Sequence, residues 1–299
     1  MIYIKMQGGL GNQMFEYAFA KALSLKLNDE LTLDLSGITN ETHNVYSLNH
    51  FKIKANMVDN YDVANKKKLA FKTKEHFLWR AFNKNGIKGK YKVEKNMQWL
   101  FNMMGIYTCT DGYIKMHKSL SKDKYLEGYF QSSKYFDEYK DVIRKEFTVK
   151  DKVLDRNKKL LEKIKKEESV CIHIRRGDYT KVTNHLVCDI DYYKKAFNLM
   201  KSKVPNAKYY VFSDDIEWVK ENIDFGKKVN YVEGGNPNYE ELRLMYSCKH
   251  FIMSNSSFSF WGMYLSTNKK KVVIAPSKWF NDPNQICDIF EDSWIKIDV

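Results

Sequence analysis

The chain has 299 residues, 43% apolar and 15% aromatic, with four prolines; this excludes a disordered or fibrous polypeptide and leaves room for one large or two ordinary domains, two being expected. A formal net charge of +13 attracts anions, whether nucleic acid, acidic lipid or a phosphorylated small molecule. Five widely spaced cysteines without a C-x-x-C pair argue against a zinc site and a disulfide framework; no signal-peptide pattern and no long apolar run stand in the sequence, so a cytoplasmic protein is expected.

The opening "IYIKM" predicts a short buried strand. Behind it stands Gln7-Gly8-Gly9-Leu10-Gly11-Asn12-Gln13, and then Phe15, Ala18, Phe19, Ala22 and Leu23 recur at helical spacing. With "ELTLDLS" as the next strand, the order is that of a doubly wound α/β unit with parallel strands. The glycines are not a dinucleotide fingerprint, because Met14 stands where G-x-G-x-x-G read from Gly9 needs its third glycine, and no P-loop lysine follows. Two readings stay open for this turn: a tight strand-to-helix connection, or backbone N–H groups at Gly9 and Gly11 with Asn12 and Gln13 offered to a phosphate or a sugar hydroxyl.

Residues 60–106 predict a basic helical insertion, with eleven Lys or Arg against two Glu between Lys66 and Lys95, interleaved with Phe71, Phe77, Trp79, Phe82 and Tyr91. From Lys124 a strand is followed by a helix with Phe136, Tyr139, Ile143 and Phe147 on one face. The charged helix within 151–168 closes the first half. The expected domains are therefore 1–165 and 166–299.

From Ser169 strands and helices alternate clearly: "SVCIHI", a helix over 191–201, "KYYVFS", a helix from Asp215, "HFIMS", a helix carrying Phe258, Trp261 and Leu265, and "KKVVIAP". Three of the strand ends carry polar turns, "RRGDY", "SDD" and "NSS". In an open parallel sheet such turns converge on one crevice at the carboxyl ends of the strands. Arg175 and Arg176 at a strand end, followed by Gly177, suit a phosphate or pyrophosphate, against a plain ion pair with Asp178. Asp214, three residues before Glu217, has the spacing of a helix cap; a carboxylate holding a base or ribose is equally open. Asn255, Ser256 and Ser257 stand at a helix start, where they cap and where an anion can bind. Asp189 and Asp191 form a D-x-D; Asp191 is expected to cap the next helix rather than to hold a metal.

Taken together, "GGLGNQMFEYAFAKAL", "GYFQSSKYF" from Gly128, "HIRRGDY", "FSDDIEWVKENI", "LMYSCKHFIMSNSSFSFWGMYL" and "PSKWF" from Pro276 resemble the bacterial α1,2-fucosyltransferase family over nearly the whole chain. The resemblance implies a GT-B architecture, two Rossmann-like domains facing across a cleft, with the donor GDP-fucose on the C-terminal one and the acceptor side on the N-terminal one. It also implies inverting transfer to a galactose-containing acceptor with no metal or other cofactor. By the same resemblance Arg175 binds the β-phosphate with Arg176 in support, and His173 with Asp214 or Asp215 contacts guanine or ribose. Asn255, Ser256 and Ser257 line the pyrophosphate and fucose, with Gly9 and Gly11 approaching from the opening turn. In the related protein O-fucosyltransferases the asparagine of the N-terminal "GNQ" lies at the reacting sugar, which makes Asn12 a catalytic candidate. Asp178 is the first choice for the general base that an acceptor hydroxyl needs. The chain departs from the family at Glu16, where Gln is common, and at Phe260 in "SFSFWG", where "SWWG" is usual.

Competing readings are fucosyl transfer in another linkage, transfer from another nucleotide sugar and, from the charge alone, a nucleic-acid-binding protein. No nucleic-acid motif supports the last, and no nucleic-acid partner is expected. The lysine-rich stretch from Lys66 reads either as a solvated insertion or as peripheral contact with the anionic inner face of the cytoplasmic membrane, where lipid-linked acceptors are assembled.

Overall fold

Strand β1, Ile2–Lys5, turns Ile2 and Ile4 into the core and leaves Tyr3 and Lys5 half-buried. Helix α1, Leu10–Leu27, is buried almost continuously through its first half. It ends at Asn28, whose left-handed conformation (φ 51°) lets its N–H satisfy carbonyls of the last turn and returns the chain to β2, Leu31–Asp34. The remaining elements of this part are β3 (Asn56–Val58), α2 (Gly86–Met103), β4 (Ile106–Cys109), β5 (Lys124–Gly128) and α3 (Lys140–Glu146). The strands form a wholly parallel sheet in the order β3-β2-β1-β5-β4. The computed structural model describes residues 1–39, 44–59, 86–226 and 229–299. Most of the expected basic insertion, from 60 to 85, lies outside the described residues.

The second sheet is likewise parallel, in the order β11-β10-β9-β6-β7-β8. Its strands are β6 (Ser169–Ile174), β7 (Lys208–Ser213), β8 (Val229–Tyr231), β9 (His250–Ile252), β10 (Val273–Pro276) and β11 (Ile295–Ile297), with helices α4 (Asp155–Lys166), α5 (Ile190–Lys203), α6 (Ile216–Asn222), α7 (Asn238–Tyr246) and α8 (Ser257–Leu265). Strand β6 is buried at all six positions, as a central strand covered on both faces requires. Val170, Ile172 and Ile174 join Tyr192, Ala196 and Met200 of α5 in one core.

The chain divides into two compact units, Met1–Thr148 with Asn284–Ile289, and Val149–Pro283 with Phe290–Val299. The boundary expected near 165 therefore moves back to Val149. Helix α4 belongs to the second unit because it is bonded there: Asn157 Nδ2 donates to Glu240 Oε1 at 3.2 Å and Arg156 to the Gly235 carbonyl at 2.6 Å. The helix expected across Phe136–Phe147 shortens to α3, preceded by two 3-10 turns, Ser133–Tyr135 and Asp137–Tyr139. Strands β3, β8 and β11, three residues each and at or beside a sheet edge, give no alternation long enough to read.

Candidate functional site

The carboxyl end of β6 delivers His173, Arg175 and Arg176 to one place in the second unit. Arg175 is held between two carboxylates: its Nη1 meets Asp214 Oδ2 at 2.6 Å and its Nη2 donates to Asp178 Oδ1. Its guanidinium lies 5.4 Å from the centre of the Tyr179 ring. Arg176 is fixed differently, its guanidinium carbon 3.3 Å from the centre of the Trp218 ring and its Nε donating to Asp215 Oδ2 at 3.2 Å. Ion pairing plus stacking fixes both planar forks before any anion arrives.

Asp214 is not the cap of α6. Asp215 is, accepting from Trp218 N at 3.4 Å. Asp214 instead takes the backbone N–H of Arg176 at 2.9 Å and so ties the turn after β6 to the end of β7. That closeness explains Gly177 between them: its φ is +21°, and a Cβ there would sit 2.6 Å from Asp214 Oδ2.

The third turn closes on the same point. Ser256 caps α8, its Oγ accepting from Phe258 N at 3.3 Å, and Ser257 begins the helix. The Tyr179 hydroxyl donates to the Asn255 carbonyl at 3.3 Å, and His173 Nδ1 lies 3.0 Å from Ser254 Oγ. Burial, with the Arg175 charge adding to it, pushes the His173 imidazole down to about 3, so at neutral pH it is an uncharged hydrogen-bonding ring. The Asn255 side chain has other work: its Nδ2 donates to the His185 and Trp279 carbonyls at 2.9 and 3.0 Å and pins two loops beneath the turn. The three polar turns thus meet as the strand order predicts. Glu241 on α7 joins them, within electrostatic range of Asp214 and Arg175; burial, with the Asp214 charge adding and Arg175 opposing, pushes its carboxyl up to about 7.

Of the D-x-D pair, Asp189 caps α5, accepting from Tyr192 N at 2.7 Å, and Asp191 stands exposed in the first turn. The cap is thus two residues earlier than expected. Phe260 is fully buried against Trp261 and Tyr264, so the departure there concerns helix packing.

Asn12, Gly9 and Gly11 lie in the first unit. Gly9 precedes α1, and its carbonyl accepts from Asn12 N and Gln13 N at 3.0 and 3.1 Å. Asn12 Oδ1 accepts from Gln131 Nε2 at 2.8 Å, while its Nδ2 lies where a Cβ on Gly8 (φ +71°) would collide at 2.8 Å. Gln131 follows Phe130, a buried residue in the left-handed region at φ 50°. Gln13 is a staple, bonded to the Gly8 and Val45 carbonyls at 2.7 and 2.8 Å and to Ser47 N at 3.0 Å. Glu16 is fully buried and accepts from Gln7 N at 3.0 Å; burial raises its carboxyl well above the usual carboxylate range. A neutral Glu16 is close to an isostere of the glutamine expected there.

Sequence reasoning missed Glu241, which in the first turn of a helix looks like an ordinary partner of the helix dipole. It also missed Gln131 and Trp218, whose partners lie 119 and 42 residues away in the chain.

The profile of Glycosyl transferase family 11 matches residues 1–298. Alpha-1,2-colitosyltransferase from Escherichia coli is 32% identical over 100% of this chain and 99% of that protein. The O-antigen biosynthesis glycosyltransferase WbnK, also from Escherichia coli, is 30% identical over 99% of this chain and 100% of its own length. Among solved structures, NodZ alpha-1,6-fucosyltransferase soaked with GDP-fucose is similar in fold, with a TM-score of 0.52 at 12% identity, covering 88% of this chain and 91% of that one.

Proposed function

This chain belongs to glycosyl transferase family 11, and from that premise we propose that it moves L-fucose from GDP-fucose to the 2-hydroxyl of a terminal β-galactose on a glycan acceptor, with inversion and without a metal. The observation that carries this reading is Arg175, fixed at the end of β6 by Asp214 and Asp178 beside the capped start of α8. Breaking a sugar–phosphate bond leaves negative charge on the departing diphosphate. Two oriented guanidiniums and the N–H groups at a helix start supply the compensating charge without a metal ion.

In this reading Arg175 and Arg176 hold the diphosphate, Ser256 and Ser257 donate to it, and neutral His173 hydrogen-bonds the nucleoside. Asp214 and Asp215 act first by holding the arginines. A diphosphate competes with Asp178 for Arg175, so donor binding releases the Asp178 carboxylate. Freed, it takes the proton of the acceptor hydroxyl as that oxygen bonds to the anomeric carbon and the bonding pair leaves with GDP. Asn12, with its amide orientation set by Gln131, is assigned to the sugar.

A second reading, transfer of colitose in the same linkage, is favoured by the colitosyltransferase relative. Both are tested by incubating the protein with EDTA, a panel of nucleotide sugars that includes GDP-fucose and GDP-colitose, and lactose or N-acetyllactosamine. Products are identified by mass and linkage. An α1,2-fucosyl product, undiminished by EDTA and lost in Arg175→Ala, supports the first reading; a colitosyl product alone supports the second. A strict metal requirement returns Asp189 and Asp191 to consideration and overturns the metal-free step.

A further inference from the structure

Helix α2 buries a polar row beside the apolar Phe101, Val93 and Met97. Its buried positions include Glu94, Gln98 and Asn102, a polar row at helical spacing whose partners are all local. Glu94 accepts from Thr110 N and Oγ1, both at 2.8 Å. Gln98 Nε2 donates to the Thr108 carbonyl at 3.3 Å. Asn102 Nδ2 donates to the Ile106 carbonyl at 2.8 Å and its Oδ1 accepts from His117 N at 2.7 Å. These bonds hold β4 and the segment after it against the helix, and they turn the other face outward.

That outer face carries Lys92, Lys95, Trp99 and Met103, with Trp99 54% exposed. It continues into Met104, 51% exposed, and Leu120, 77% exposed. Leu120 N donates to the Met103 carbonyl at 3.1 Å, which sets exposed Leu120 beside the helix end where Trp99, Met103 and Met104 stand. Exposed Lys118 and Lys122 flank Leu120, and Lys92 and Lys95 lie along the helix from Trp99. Between residues 92 and 122 the acids are Glu94, buried, and Asp111, which accepts from Gln285 at 3.2 Å.

We propose that this patch, Trp99, Met103, Met104 and Leu120 within a ring of Lys92, Lys95, Lys118 and Lys122, seats the protein on an anionic lipid bilayer. Trp and Met enter the boundary between headgroups and acyl chains, where an indole keeps one polar edge wet. The flexible lysine stems reach back to lipid phosphates. A second copy of the chain is a poorer occupant, because a two-fold contact through the patch sets lysines against lysines. Seating depends on neither donor nor acceptor, so it stands or falls apart from the proposed reaction.

The test is co-sedimentation of the full chain with phosphatidylcholine vesicles and with vesicles of phosphatidylcholine and phosphatidylglycerol. Binding is expected to the mixed vesicles alone and to weaken roughly fivefold for each of Lys118 and Lys122 changed to Gln. The Trp99→Ser/Leu120→Ser variant, altered at exposed positions, is expected to lose binding at low salt while keeping the parent melting temperature and transfer to a soluble acceptor. Equal binding by parent and Trp99→Ser/Leu120→Ser overturns the proposal. So does binding abolished by changing Lys66, Lys67 and Lys68 to Gln but untouched at the patch, or a protein dimer that Leu120→Ser dissolves in the absence of vesicle binding.

Discussion

Asp214 grips Arg175 and its neighbour together: one carboxylate oxygen meets the Arg175 guanidinium at 2.6 Å and the other accepts the Arg176 backbone N–H at 2.9 Å. The carboxylate thus sets both the direction of the fork and the path of the backbone beneath it. Asp214→Asn keeps an acceptor for the N–H but removes the charge that aims the fork. Transfer is expected to fall by about 10- to 100-fold in kcat/KM, the worth of a charged hydrogen bond, with a smaller loss of GDP affinity in calorimetry. Arg175→Lys, which cannot present a fork, is expected to lose more than Asp214→Asn; the reverse order would remove Arg175 from its assigned role.

Gly177→Ala tests the same contact from the other side. The new Cβ meets Asp214 Oδ2 at 2.6 Å in a backbone conformation that already favours glycine. A loss of about 1–3 kcal/mol in stability is expected, with weakened GDP binding because Asp214 must shift. A variant with the parent melting temperature and GDP affinity would show that the turn has room.

Glu241 gives a pH signature. Its carboxyl is raised from 4.5 to about 7 in the folded protein, so the folded state holds the proton more tightly than the unfolded chain. The contribution is full below 4.5 and is lost as pH rises toward about 7, amounting to on the order of 3 kcal/mol. His173 acts in the opposite sense, lowered from 6.5 to about 3, and costs stability as pH falls below 6.5. Comparing Glu241→Gln with the parent isolates the first effect: the difference in melting temperature is expected to grow in favour of the variant from pH 4.5 to 7. A difference independent of pH would mean that Glu241 titrates normally.

Gln131 and Asn12 predict coupling. If the Gln131 amide fixes the orientation of Asn12 through their 2.8 Å bond, Gln131→Ala and Asn12→Ala each lower kcat, and the double variant is no worse than Asn12→Ala. Additive losses in the cycle would separate the two residues. Phe130→Gly, which relieves the positive φ but removes a buried ring, is expected to destabilise the first unit by about 3 kcal/mol or more.

The sequence allows the strands nearest the site to be read residue by residue. "SVCIHI" and "KYYVFS" coincide with β6 and β7 because central strands are continuous apolar runs that end abruptly in turn residues. The meeting of their polar turns follows from parallel topology. The caps slip, from Asp214 to Asp215 and from Asp191 to Asp189, since a cap is decided by where the backbone turns helical and several aspartates compete for it. What stays hidden is long-range: Asn255 spent on carbonyls of 185 and 279, Gln13 on the Val45 carbonyl and Ser47 N, and Glu241 brought within electrostatic range of Arg175.

The interrupted course of the chain bears on how it is made. The first unit is incomplete at residue 148, because Asp288, which accepts from Tyr113 N at 2.7 Å and pairs with Lys134 at 3.7 Å, is supplied by the short return at 284–289. The second unit waits longer still, for β11 at the edge of its sheet. Neither unit therefore has all its parts until synthesis has passed residue 284, and a nascent chain stalled before 284 is expected to remain sensitive to protease in the first unit.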